Sequence, residues 1–323
     1  MAEARRVATQ CAEALRLSET SVGKARLITT ELATNLVKHT PGGTLIFGSN
    51  DGTPQTLTIT AIDRGEGIRN LQEAMADGYS TAGSPGTGLG AVARGATSFD
   101  IYTFGGKGTV AVCYIADEVA RTPPPPSGSP SRISIAGFCT PKSGEDVSGD
   151  DWAAVSGRDS VTLGIVDGLG HGEAAAMAAA YGVRVIRERA DRELEHIIQA
   201  MHGALRPTRG AAVGLARIHP GAGRVDFVGS GNIAGTIVTE DTARKTVSHG
   251  GIVGHEMRKV QSFSYPWASD SVLVLHSDGI GTGWNLQSYP GLIQHEPAVI
   301  AAVIYRDYCR GTDDATVVVA KAS

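Results

Sequence analysis

The spacing of apolar residues along the first part of the chain predicts two helices followed by a sheet. Over residues 19–39 the apolar positions recur every three or four residues, which is the period of an amphipathic helix. The apolar face of this helix carries Val22, Ala25, Ile28, Leu32 and Leu36. Two β-rich runs follow at 44–49 and 56–62, and after them come a loop, a short helix and two more strands.

The later part of the chain has a different pattern. It predicts strands at the beginning and at the end of this region, with two helices in the middle. A continuous apolar run at 161–166 predicts a buried strand, and the alanine-rich segment after it predicts a helix. Further apolar runs at 272–275 and 317–320 predict two more strands.

A proline-rich stretch at 121–130 separates the two patterns. It cannot enter a helix or a central strand, and it favours a stiff polyproline conformation. With 323 residues, the chain is also long enough for two independent cores. We therefore predict a first domain over 1–117, a linker over 118–130 and a second domain over 131–323.

Composition and charge exclude several classes of function. The chain is 41% hydrophobic and has a net charge of −4, and it has no basic cluster, so we expect no nucleic-acid partner. No apolar run is long enough for a transmembrane helix and the start lacks a signal-peptide pattern, so we expect a cytoplasmic protein without a membrane partner. The four cysteines lack the spacing of a disulfide framework or a zinc site.

Polar residues on the predicted helix at 19–39 are the first candidates for chemistry. Glu31 and Asn35 are four residues apart and so lie on one stripe, with Lys38 beside them. A carboxylate and an amide oxygen so placed could share a magnesium ion, or a water next to one, or they could form an ordinary polar surface stripe.

Two glycine-rich segments add candidates for a nucleotide site. Asp63 ends a predicted strand, where its carboxylate could accept a hydrogen bond from an exocyclic amine such as that of adenine, and the nearby Gly65 and Gly67 let the backbone pass close to a flat base. The loop at 83–90 leads into a helix, and free N–H groups at a helix N-terminus can bind phosphate. This loop lacks the lysine of a P-loop, and it does not directly follow a strand.

Residues 31–35 (ELATN), 63–67 (DRGEG) and 86–90 (GTGLG) resemble the N, G1 and G2 boxes of the GHKL ATPase superfamily. Within it, residues 77–83 and 105–110 are similar to the RsbT type of small serine kinases in bacterial stress signalling. The strand that usually precedes the first helix of such domains has no counterpart in this sequence.

The resemblance implies an ATP site with named roles. Asn35 would coordinate magnesium, Asp63 would read adenine, and Glu31 would be the base that activates the acceptor hydroxyl. The remaining nucleotide contacts would come from Lys38, Gly65, Gly67, Gly86, Thr87, Gly88, Leu89 and Gly90.

Aspartates at strand boundaries are the candidates in the second domain. Asp167 follows the run at 161–166 and precedes Gly168, so a hard cation could be held by its carboxylate and the next backbone carbonyl together. Asp150, Asp278 and Asp313 lie at three further strand boundaries. Any one of them fits an ordinary turn, but four converging acids would repel unless cations neutralised them. All-oxygen ligation favours Mg²⁺ or Mn²⁺ over zinc.

The order of residues 148–150 (SGD), 167–172 (DGLGHG), 277–279 (SDG) and 313–316 (DDAT) resembles the metal-dependent protein phosphatases of the PPM family, in their compact SpoIIE and RsbX branch. The family implies an αββα sandwich and a two-metal centre where a bridging water attacks phosphoserine or phosphothreonine. By this resemblance Asp167 bridges both ions and Gly168 contributes its backbone carbonyl. Asp278 and Asp313 complete the ligands of one ion, and Asp150 supports the other.

One position departs from the larger eukaryotic relatives of this family. Leu169 stands where they carry a histidine that is thought to protonate the leaving group, and His171 lies two residues further on. His171 is either a substitute proton donor or an ordinary histidine at a helix start.

Together the two resemblances predict an α+β chain in which a GHKL (Bergerat) α/β sandwich precedes a PPM-type αββα sandwich. The expected function is that of a bifunctional signalling enzyme acting on a serine or threonine of a partner protein. The first domain would phosphorylate this residue with ATP, and the second would dephosphorylate it with two Mg²⁺ or Mn²⁺ ions. That partner would be a STAS-domain anti-sigma antagonist or stressosome protein, and the enzyme could form a homodimer. The alternative is a phosphatase whose first domain is a non-catalytic ATP-sensing or partner-binding regulator.

Overall fold

The computed structural model describes residues 1–50, 55–76, 88–117, 133–257 and 259–322. By their internal contacts they form two compact units. The first unit is Met1–Pro125 with Gln294–Arg306, and the second unit is Pro126–Ile293 with Asp307–Ser323. The predicted linker, the segment at 77–83 and the first part of the glycine-rich loop, including Gly86 and Thr87, lie outside the described residues.

The first unit contains a four-stranded antiparallel sheet with helices packed against it. The helices are α1 (Ala2–Ala14), α2 (Glu19–His39), α3 (Leu71–Ala74) and α4 (Gly88–Gly95). The strands are β1 (Gly43–Asn50), β2 (Thr56–Asp63), β3 (Ser98–Phe104) and β4 (Gly108–Ala116), in the spatial order β1-β2-β4-β3.

Helix α2 begins and packs as its sequence pattern predicts. The hydroxyl of Ser18 caps its N-terminus by accepting a hydrogen bond from the backbone N–H of Ser21, and the carboxylate of Asp117 in turn accepts from Ser18. The five predicted apolar residues on one face are all buried against the sheet, in a cluster that includes Leu57, Ile59 and Ile115. This packing fixes the polar stripe of α2 beside the end of β2.

The second unit is built on two five-stranded antiparallel sheets. One sheet has the order β11-β10-β13-β14-β5 and the other has the order β12-β9-β8-β7-β6. The strands of the first are β5 (Ile133–Thr140), β10 (Ala234–Val238), β11 (Ala243–Lys245), β13 (Val272–His276) and β14 (Ala315–Ala322). Those of the second are β6 (Asp150–Ser156), β7 (Val161–Gly168), β8 (Ala211–His219), β9 (Arg224–Ser230) and β12 (Phe263–Pro266).

Alternation along the strands divides the core of the second unit into two layers. On β8, Ala212, Ala216 and Ile218 pack in the cluster that also holds Leu273 and Val318 of the other sheet. The intervening residues Ala211, Val213 and Leu215 pack with helices α5 (Glu173–Arg189) and α6 (Leu194–Leu205). Because both of its faces are covered, β8 is apolar from Ala211 to Ala216.

The described residues in the second half of the chain contain three α-helices, so the prediction of two helices there was wrong. A third helix, α7, spans Pro297–Tyr308, and the greater part of it groups with the first unit. Residues 297–304 are consecutive apolar residues and all are buried. A helix buried on every side has no polar stripe, so its apolar spacing does not reveal a helical period. In the described ranges no helix is both long and apolar enough to cross a membrane.

Candidate functional site

The first unit holds a cavity of about 390 Å³ between α2, the end of β2 and the start of α4. It brings together most of the residues that the sequence assigns to a nucleotide. The predicted residues in its lining are Glu31, Asn35, Lys38, Asp63, Gly65, Gly67, Gly88 and Leu89. Gly90 is absent from that lining. A Cβ at Gly90 would lie 2.6 Å from the Met75 carbonyl oxygen, which explains why glycine stands there.

The turn after β2 is shaped by its carboxylate and its glycines. Asp63 accepts a hydrogen bond of 2.7 Å from the backbone N–H of Gly65. Gly67 has φ +77°, and a Cβ there would lie 2.9 Å from the carbonyl oxygen of Phe104. Only glycine allows this backbone to pack so closely. The turn therefore leaves Asp63 at the cavity wall beside bare backbone, an arrangement that suits a flat base.

The polar stripe of α2 faces the same cavity. Glu31 and Asn35 are half-buried and Lys38 is exposed. Their oxygens are hard ligands of the kind that Mg²⁺ prefers, and the lysine adds a positive charge beside them. The lining can thus hold a magnesium nucleotide.

In the second unit, five aspartates from neighbouring strand ends form an acid cluster. Asp150 on β6 and Asp167 on β7 are directly opposite each other in the strand register. Asp278 follows β13, and Asp313 and Asp314 precede β14, the strand paired with β13. Hydrogen bonds between Ser277 and Thr316 tie the last two strand ends together. The structure therefore places all four predicted metal-ligating acids at neighbouring strand ends.

The charges of the acid cluster repel one another strongly. Burial, and after it the nearby carboxylates of Asp150, Asp278, Asp313 and Asp314, together raise the pKa of Asp167 to about 8. Burial likewise raises the pKa of Asp150 to about 6, although hydrogen bonds from side-chain hydroxyls oppose the rise. Such a cluster attracts divalent cations.

The oxygens of the cluster fit a metal that is bound by oxygen alone. The buried Oδ2 atoms of Asp150 and Asp314 have no hydrogen-bond partner within the described residues. A Cβ at Gly168 would lie 2.1 Å from the carbonyl oxygen of Ala175, so glycine is needed where the strand meets α5. In the described ranges, no three His, Cys, Asp or Glu side chains are gathered closely enough to hold an ion as they stand. Ion binding would have to draw the carboxylates together.

Two members of this site were missed by the sequence analysis. Asp314 is buried and its Oδ1 accepts a hydrogen bond of 2.9 Å from the backbone N–H of Lys142, whereas the predicted ligand Asp313 is exposed. Asn232 donates from Nδ2 to Oδ2 of Asp278 at 2.6 Å and so orients this carboxylate. The only sequence signal for Asn232 was the glycine before it.

His171 lies in the turn between β7 and α5, ahead of the helix, which begins at Glu173. Its Nδ1 is 2.6 Å from Oε1 of Glu145, and both side chains are partly exposed. The glutamate fixes the ring beside Gly172, which has φ +72°. Both interpretations of His171 stay open.

Comparison with known proteins gives matches to both halves of the chain. The family model described as Stage II sporulation protein E (SpoIIE) matches residues 157–323, and the Histidine kinase-like ATPase domain matches residues 1–131. The serine/threonine-protein kinase RsbT of Bacillus subtilis (strain 168) is 36% identical over 92 residues, which are 28% of this chain and 69% of RsbT.

Solved structures match part or nearly all of the chain. One described as "The bacterial stressosome: a modular system that has been adapted to control secondary messenger signaling" is 25% identical with a TM-score of 0.56, over 59% of this chain and 100% of that one. RsbX in complex with magnesium is 18% identical with a TM-score of 0.53, over 59% and 96%. The PP2C phosphatase domain of Bacillus subtilis SpoIIE, with a fragment of its regulatory domain, is 16% identical with a TM-score of 0.51, over 99% and 95%.

These matches define a histidine kinase-like ATPase domain followed by a PPM-type serine/threonine phosphatase fold, and they confirm the predicted fold class. The chain belongs to the SpoIIE family through its second half, and its first part belongs to the family of the serine/threonine-protein kinase RsbT.

Proposed function

We propose that this chain phosphorylates and dephosphorylates a serine or threonine of one STAS-domain antagonist or stressosome protein in a partner-switching pathway. The observation that carries the proposal is the presence, in one chain, of a cavity lined by the ATPase-box residues and of a buried acid cluster. The similarities to RsbT and to a stressosome structure support the pathway and the kind of partner. Because ATP is the phosphate donor, we also propose a cytoplasmic setting, and a homodimer stays a prediction.

For the phosphorylation half, we assign the roles from the lining of the cavity. Asn35 would bind the magnesium ion of ATP, Asp63 would accept from the adenine amine, and the backbone at the start of α4 would bind phosphate. Glu31 would accept the proton of the serine hydroxyl as that oxygen attacks the terminal phosphate. Its half-buried position on the cavity wall suits this role.

For the dephosphorylation half, two Mg²⁺ or Mn²⁺ ions would be held by Asp150, Asp167, Asp278, Asp313 and the Gly168 carbonyl. Bound there, the ions would supply an activated water and would stabilise the charge on the phosphoryl oxygens. Around them, Asn232 holds Asp278 in place by its hydrogen bond. The side-chain hydroxyls of Ser277 and Thr316 hydrogen-bond to Asp150 and orient its carboxylate.

The second candidate function keeps the phosphatase and makes the first unit a non-catalytic ATP sensor or partner-binding regulator. Strand β1 is an edge of the four-stranded sheet, and an exposed edge is a place where a partner can add a strand. The two candidates differ in whether Glu31 performs chemistry.

The test uses the full chain, γ-labelled ATP and a purified STAS-domain protein. The Asp167→Asn variant should transfer the labelled phosphate to the partner and leave it there, because its phosphatase site is inactive. A Glu31→Gln, Asp167→Asn double variant should bind ATP without transferring the phosphate. The Asn35→Ala variant should release phosphate from the labelled partner only when Mn²⁺ is added. ATP binding without any transfer by Asp167→Asn would favour the regulator instead.

A further inference from the structure

The side chain of Arg209 lies against the turn between β7 and α5. Arg209 precedes β8 in the loop that follows α6, and the neighbouring Gly210 carbonyl accepts a hydrogen bond of 2.9 Å from the backbone N–H of Leu169. Nη1 of Arg209 is 3.0 Å from the point that a Cβ on Gly170 would occupy. The guanidinium therefore touches the turn that follows Asp167.

That turn also borders the acid cluster. A Cβ on Gly149, the residue before Asp150, would lie 3.4 Å from the carbonyl oxygen of Gly170 and 2.7 Å from Oδ2 of Asp314. Gly170 thus lies close both to the guanidinium of Arg209 and to the residue that precedes Asp150 at the edge of the acid cluster.

The guanidinium of Arg209 is available to a ligand. Its side chain is exposed, and in the part of the chain that the structure describes it has no hydrogen-bond or ion-pair partner. Two other arginines of the second unit, by contrast, are engaged: Arg217 donates to Thr162 and to two backbone carbonyls, and Arg224 pairs with Asp226. A guanidinium presents several N–H donors in a planar fork, which matches two oxygens of a phosphate group.

We propose that Arg209 binds the phosphate group of the phosphoserine or phosphothreonine substrate and so helps the second unit to select phosphorylated side chains. The inference rests on the proposed phosphatase function. A phosphate dianion at the rim of the acid cluster is attracted by a positive side chain as well as by bound ions, and Arg209 supplies that charge at the turn that follows Asp167. Arg206 is the matched control, since it lies three residues away in the same loop and is also exposed.

The test compares the wild type, Arg209→Ala, Arg209→Lys and Arg206→Ala as full chains with saturating Mg²⁺. The Michaelis constant for a phosphoserine peptide and the dissociation constant of inorganic phosphate, the latter by calorimetry, should both rise about 10- to 100-fold in Arg209→Ala, as expected for a lost charge-assisted hydrogen bond. Arg209→Lys should recover part of the loss, because it restores the charge without the fork. Arg206→Ala should match the wild type.

Three results would overturn the assignment: phosphate affinity that is unchanged in Arg209→Ala, an equal loss in Arg206→Ala, or a loss that follows weaker Mg²⁺ binding or a lower melting temperature. The last result would make Arg209 a support of the turn. If the wild type fails to hydrolyse the peptide, the proposed phosphatase function fails, while the calorimetry with inorganic phosphate still decides the role of Arg209.

Discussion

Replacing Asp167 with Asn should stabilise the metal-free second unit even though it should abolish the proposed phosphatase activity. Burial and the neighbouring carboxylates raise the pKa of Asp167 from 3.8 to about 8. The folded chain therefore favours the protonated acid, whereas the unfolded chain ionises it freely. Asparagine has the same volume and cannot ionise, so it removes this penalty on folding.

The sign and size of the effect follow from the two pKa values. Because the folded-state pKa is the higher one, the contribution of the Asp167 proton to stability is fully present below about pH 4 and is lost as the pH rises to about 8. Between 3.8 and pH 7 lie about three pH units, and at about 1.4 kcal/mol per unit the penalty at pH 7 is on the order of 4 kcal/mol. For a unit of this size that corresponds to roughly 10 °C in melting temperature.

Differential scanning calorimetry in EDTA at pH 4.5 and pH 7 measures this effect. Asp167→Asn should melt well above the wild type at pH 7 and close to it at pH 4.5. Adding Mn²⁺ should raise the melting temperature of the wild type more than that of the variant. The control is Asp159→Asn, an exposed acid in the turn between β6 and β7. Equal melting temperatures for Asp167→Asn and the wild type at pH 7 would refute the electrostatic argument.

Three further predictions concern single side chains. Asn35→Ala and Asp63→Asn should each weaken ATP binding in calorimetry, the latter by about 1.5 to 3 kcal/mol for a charged hydrogen bond, and unchanged affinity in both would contradict the assigned nucleotide site. Glu31→Gln should keep ATP affinity within about threefold and lower phosphate transfer by about 100-fold or more, as loss of a general base predicts, and transfer at the wild-type rate would remove its role. Gly168→Ala should destabilise the second unit by about 1 to 3 kcal/mol in urea unfolding, because its Cβ meets the backbone of α5. Gly203→Ala, at an exposed position of α6 where the Cβ has free space, should instead stabilise the unit by about 0.5 to 1 kcal/mol.

Much of the fold could be predicted because the relevant signals are local. Helix α2 has one apolar face and a serine cap, so both its limits and its buried side follow from the spacing of residues. The aspartates at strand ends were predictable for a similar reason, since Asp150, Asp167 and Asp278 each mark the point where an apolar run begins or ends. That these aspartates converge depends on the pairing of strands that are distant in the sequence. Only the resemblance to the phosphatase family predicted this convergence.

The remaining features depend on contacts that the sequence pattern does not show. Helix α7 is apolar on every side, so its spacing has no period to detect. Asn232 acts through one hydrogen bond to Asp278, a residue distant in the sequence, and the guanidinium of Arg209 lies against Gly170, in a turn of another segment. Asp314 could not be told from Asp313 by spacing, because only the path of the chain into β14 decides which carboxylate is buried.

Sequential treatment of a STAS-domain protein with two variants shows whether the two opposing activities of this chain act on the same residue of one partner. The partner is phosphorylated by Asp167→Asn with ATP, the modified residue is located by mass spectrometry, and the product is given to Asn35→Ala with Mn²⁺. We expect a single phosphorylated serine or threonine, and after the second treatment the partner should return fully to its unmodified mass. A phosphate that persists on that residue, while Asn35→Ala readily dephosphorylates an unrelated phosphoprotein, would contradict it.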